Sequence, residues 1–160
     1  MHDMLVRLYA IPEVDDALAV CAARGVTVRR ALAPEKPVVL DWVRAHFASS
    51  AAEVETAFAR APVTCFIAVR DAAVLGFACH DVTCRNFFGP EGVAAEERGR
   101  GLGRALLLSA LHAQRARGYA YAIIGGVGPA EFYAKTVAAI AIPGSTPGIY
   151  GGMLTRRTPD

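Results

Sequence analysis

Apolar positions recur along the chain at two spacings, and glycine or proline breaks the pattern between blocks. Met4-Leu-Val-Arg-Leu-Tyr-Ala-Ile11 is rich in strand formers and stops at Pro12. Asp15 or Asp16 is placed to cap a short helix from Ala17 to Arg24, which Gly25 closes. Val26 to Arg30 alternates as a strand does. Pro37 suits the first turn of a helix through Phe47, on which Val39, Trp42, Val43 and Phe47 share a face. A further helix is expected from Ala51 to Arg60, with Ser50 and Glu53 at capping-box spacing and Pro62 beyond its end.

Thr64 to Arg70 and Val74 to His80 read as strands joined by a hairpin turn at Asp71-Ala-Ala. A third strand spans Phe87 to Ala95, bent or bulged at Gly89-Pro90 because proline has no N–H for a ladder. A strong helix follows from Leu102 to Arg117, with Gly118 as its stop. Tyr119 to Ile124 is a strand, and Gly125-Gly-Val-Gly128 leads into a helix carrying Glu131, Phe132, Tyr133 and Lys135. A last strand is expected over Ala139 to Ile142. The order predicts a mixed α/β (α+β) fold, with one helix crossing between two parallel strands.

The 160 residues suit a single domain, residues 1–160, and 54% hydrophobic content supplies a core. A net charge of +2 falls short of the basic stripe that a nucleic-acid binder shows. No apolar run is long enough for a membrane span, and the N-terminus is a poor secretory signal. The four cysteines lack a CxxC spacing, so a reduced, cytoplasmic setting is the expectation. Cys79, His80 and Cys84 lack a fourth partner, so no metal is expected.

The sharpest chemical feature is Arg98-Gly99-Arg100-Gly101-Leu102-Gly103, placed between a strand and a helix. Alternate glycines leave backbone N–H groups bare, the helix N-terminus adds partial positive charge, and Arg98, Arg100 and Arg104 add full charges. This describes a phosphate or pyrophosphate cradle. The spacing fails the dinucleotide fingerprint G-x-G-x-x-G, and the chain has no Gly-Lys pair for a P-loop.

It does fit R/Q-x-x-G-x-G/A, as Arg98, Gly101 and Gly103, and there the chain resembles the GNAT superfamily of N-acetyltransferases. Gly92 to Arg98 resembles the strand that leads into the family's coenzyme A loop, and Glu131-Phe-Tyr-Ala-Lys135 its helix with a tyrosine near the thioester. Two departures stand at Gly126 and Pro129, where the family often has Asn and Ala, and Val137-Ala138-Ala139 replaces its Gly-Phe. The resemblance implies a central mixed sheet flanked by helices, with antiparallel N-terminal strands and a parallel crossover after the glycine-rich loop. It implies acetyl-CoA as co-substrate, held by Val93, Ala95 and the run Arg98, Gly99, Arg100, Gly101, Leu102, Gly103 and Arg104. It also implies direct acetyl transfer to a primary amine of a small molecule or peptide, with Tyr133 as general acid. Glu91 is the first candidate base, with His80 and Asp81 behind it. Neither nucleic acid nor membrane is an expected partner. A homodimer is open, with the tail Gly148 to Leu154 as an interface strand or as packing on its own domain. The competing reading is a non-catalytic acyl-CoA-binding or regulatory domain on the same fold.

Overall fold

The computed structural model describes residues 1–155. One seven-stranded sheet organises the chain, in the order β2-β3-β4-β5-β6-β1-β7. The elements are β1 (Met4–Arg7), α1 (Asp15–Ala22), β2 (Thr27–Arg30), α2 (Lys36–His46), α3 (Ala51–Phe58), β3 (Cys65–Arg70) and β4 (Ala73–His80). They continue with β5 (Phe87–Val93), α4 (Leu102–Ala116), β6 (Tyr121–Ile124), α5 (Ala130–Val137) and β7 (Ile140–Ala141).

Strands β2 to β5 form the expected antiparallel meander. A register shift between Ala78 and His80 faces the Gly89-Pro90 bend of β5. Helix α4 then crosses to β6, which runs parallel to β5. The N-terminal strand departs from the expected grouping. β1 lies in the other half of the sheet, antiparallel to β6 on one side and to β7 on the other. Its Met4 and Val6 are buried, so its apolar face could not be left on an open edge.

Two apolar layers cover the sheet. On one face α4 buries Leu102, Leu106, Leu107, Leu108 and Leu111 against Val6, Leu8, Ala122 and Ile124. On the other, Val39, Leu40 and Val43 of α2 and Val54 of α3 pack on Ile67 and Phe77. Ser50 precedes α3 but makes no side-chain capping bond. It ends a 3-10 turn over Ala48–Ser50 and is itself helical, so its hydroxyl is not aimed at the next free N–H. The carboxylate of Glu53 turns instead to the Thr83 hydroxyl.

The tail after β7 folds back on its own domain as far as Tyr150, whereas Met153 and Leu154 are exposed. Tyr150, in a 3-10 turn over Gly148–Tyr150, lies against Gly125 and Gly126, where a Cβ on Gly125 would meet its hydroxyl. Among the described residues no helix is long and apolar enough to cross a membrane.

Candidate active site

The parallel pairing of β5 with β6 covers only Phe87↔Ile123 and Phe88↔Ile124. Beyond Phe88 the strands part. Glu91, Gly92 and Val93 stay paired with β4 on one side and have no strand on the other. The sheet therefore carries an internal free edge, whose backbone groups point into a cleft. The bend at Gly89-Pro90 explains the split, since a proline at that point cannot continue the ladder.

A cavity of about 600 Å³ follows this edge. Val93, Arg98, Gly99, Gly101, Gly103 and Arg104 line one end, and Glu91, Pro129, Phe132 and Tyr133 the other. Phe47, from the end of α2, closes it over Gly92, where any Cβ would collide with the ring.

The loop is built as its composition requires. Gly101 caps α4 in the left-handed region at φ +91, and a Cβ there would also meet Val20 at 3.1 Å. The first bond within α4 runs from the Ala105 N–H to the Gly101 carbonyl, so the N–H groups of Leu102, Gly103 and Arg104 have no partner within the helix. Gly103 faces Glu91 and Phe132, so a side chain at this position would fill the cleft. Exposed Arg98 and Arg104 stand beside these N–H groups. The set fits a pyrophosphate: unpaired helical N–H groups, a floor without side chains, and two guanidinium groups.

Three loop positions behave differently from expectation. Ala95 is outside β5, which ends at Val93; it starts a 3-10 turn over Ala95–Glu97 and is exposed. The turn forms because Ala94 folds inward, donating its N–H to the Leu75 carbonyl. Leu102 is a core side chain and offers the cleft only its backbone. Arg100 turns away to Glu97, at 3.2 Å. Glu97 is buried and also receives Arg70 from the end of β3. The Arg70 hydrogen bond holds its carboxyl below the usual range. Sequence reading missed Glu97, whose signal was an acidic residue directly before Arg98 and three positions before Arg100. The Nε of Arg98 donates to the Val93 carbonyl at 3.3 Å.

Glu91 and Tyr133 meet at the inner end. The Tyr133 hydroxyl donates to Glu91 Oε2 at 3.4 Å. Glu91 Oε1 is buried and, among the described residues, has no hydrogen-bond partner. Burial pushes the Glu91 carboxyl up to about 8, against a smaller opposite pull from the Tyr133 hydrogen bond. Tyr133 is also buried, and burial together with the neighbouring carboxylate raises its phenol well above the usual range.

His80 and Asp81 are elsewhere. His80 is fully buried, and its Nδ1 bonds to Asp81 Oδ2 at 2.7 Å. Asp81 lines a separate cavity of about 340 Å³ with Arg60, Arg85, Arg117 and Tyr119. Neither residue lines the cleft that holds Glu91.

No protein-family model and no curated protein gives a significant match to the sequence. Solved structures do. A GCN5-related glucosamine N-acetyltransferase region of a fungal multi-domain GH3 β-N-acetylglucosaminidase superposes with a TM-score of 0.73 at 16% identity, over 88% of this chain and 19% of that one. A GCN5-related N-acetyltransferase from Sphaerobacter thermophilus gives 0.64 at 17% identity, over 88% and 48%. The chain has the GNAT fold. A Drosophila protein also superposes, with a TM-score of 0.55 at 17% identity, over 88% of this chain and 47% of that one. The chain thus spans about half, or less, of these three chains.

Proposed function

We propose that the protein is an acetyl-CoA-dependent N-acetyltransferase acting on a primary amine. The observation that carries this reading is one cleft in which an anion cradle, a free strand edge and a buried Glu91–Tyr133 pair follow one another. Acetyl-CoA fits the cradle by charge and by the absence of side chains, and supplies an activated acetyl thioester with a thiolate leaving group. The N–H groups at the start of α4, with Arg98 and Arg104, would hold its phosphates. The open edge of β5 at Val93 would pair with its amide-bearing arm once Arg98 releases the Val93 carbonyl.

The transfer requires that an amine nitrogen lose a proton, form a bond to the acetyl carbon and displace sulfur, which then takes up a proton. Glu91 accepts the amine's proton in its ionised form. With a carboxyl titrating at about 8, roughly a tenth of the molecules carry it ionised at pH 7. Tyr133 donates a hydrogen bond to the departing sulfur. Its phenol is held above the usual range, so it stabilises the thiolate through that hydrogen bond and keeps its own proton. Glu91, once protonated, is the better match to a thiol near 8.5 and completes the proton balance.

Calorimetric titration with acetyl-CoA, with NADH and ATP as controls, tests the reading. Micromolar binding of acetyl-CoA alone is expected, followed by thiol release when amines are added. Binding without thiol release from any amine would favour a non-catalytic acyl-CoA-binding domain. No binding would overturn the assignment of the cradle.

A further inference from the structure

The cleft continues past Glu91 and Tyr133. A cavity of about 300 Å³ lies between the parted strands, lined by Glu91 and Tyr133 at one side and by Phe88, Pro90, Gly125 and Gly126 at the other. The latter four residues also line a further cavity of about 570 Å³, so the three spaces form one passage through the split in the sheet. This outer cavity opens beside α3, which packs on the sheet face opposite α4.

Its charge is opposite to that of the cradle. Among the described residues, Glu53 is the only carboxylate that lines it and no Lys, Arg or His side chain does, although Met1 also lines it. The Glu53 carboxylate is half-buried, and among the described residues its hydrogen-bond partner is the neutral Thr83 hydroxyl, with no cation paired to it. A second carboxylate, Asp3, lies just behind the wall and accepts the Gly126 N–H at 2.8 Å. Both carboxylates act on the Tyr150 phenol, which also lines the cavity. Burial first, then Glu53 and Asp3, push that phenol up. An apolar and aromatic chamber with an uncompensated carboxylate selects a cation.

The geometry points to an acceptor with two cationic groups: one amine reacts beside Glu91, while a second, distal ammonium is held by Glu53 and the Tyr150 ring. This rests on the acetyl-transfer reading. A singly charged amine cannot serve both places, because the reacting nitrogen must reach Glu91 and give up its proton there. The class is therefore a small diamine or a similar dicationic compound. The reacting ammonium releases one proton to solvent before attack and a second to Glu91 on attack, so the acetylated product keeps one charge.

The test compares a short α,ω-diamine with the monoamine of equal chain length. In the wild type the diamine should have a KM at least tenfold lower. Glu53→Gln should erase that difference with kcat little changed, whereas Thr83→Val, which removes only the neutral partner, should keep it. Equal KM values for the two amines, or a Glu53→Gln effect of equal size on both, would overturn the proposal and leave acetyl transfer standing. Calorimetry of the diamine itself is read independently of turnover. Binding that Glu53→Gln weakens tenfold supports the acceptor site even if no acetyl is transferred, and no diamine binding to the wild type overturns it.

Discussion

Glu91 holds one oxygen against the Tyr133 hydroxyl and the other in a buried space with no hydrogen-bond partner among the described residues. Desolvation disfavours its charge, so the group is mostly neutral below pH 8 and mostly ionised above it. If ionised Glu91 takes the amine proton, the ratio of wild-type to Glu91→Gln turnover should rise with pH and level off above about 8. A pH profile of both enzymes with one amine checks this, because the amine's own titration cancels in the ratio. Tyr133→Phe removes a hydrogen bond that favours the ionised carboxylate, so the break should move to higher pH. Turnover should also fall by about 10²-fold or more, with acetyl-CoA affinity kept. The pair was legible as two separate candidates. Their contact was not, because it joins β5 to α5 across the split, and single-sequence spacing carries no such distance.

The loop and α4 act together as one element. Gly103 is helical, and a Cβ there would make ordinary contacts at 3.5 Å from Glu91 Oε1 and 3.6 Å from Phe132. Gly103→Val should fold normally yet lose acetyl-CoA binding at least tenfold, read by thermal melting and calorimetry side by side. Gly101→Ala should behave in the opposite way. Its left-handed backbone and the nearby Val20 should cost about 1 to 2 kcal/mol of stability, measurable by denaturant unfolding. Alternate glycines between a strand and a leucine-rich helix made this element readable from the sequence. What escaped was the division of labour among its arginines. Arg100 is held by Glu97, a choice set by a buried carboxylate shared with Arg70 of β3.

At the scale of the whole molecule the far half of the sheet is pinned by β1. β1 pairs with β6 along its length and with β7 at Met4 and Leu5, and its Met4 and Val6, followed by Leu8, are buried in the α4 core. Val6→Ala should cost about 2 kcal/mol in chemical denaturation and weaken diamine binding, because β6 and the loop into α5 carry one wall of the cavity beyond Glu91. The sequence marked residues 4–7 as a strand, and the meander and crossover were visible in the order of elements. The insertion of β1 was not, since local patterning does not say which edge a strand joins. The placement of β1 also sets a timetable for the growing chain. Met4 finds its partner only when Ile124 has been made, and its second neighbour only at Ala141. Until then the ribosome has released an apolar strand that has nothing to pair with, so β1 is the segment that a holding chaperone should be found on when synthesis stalls midway.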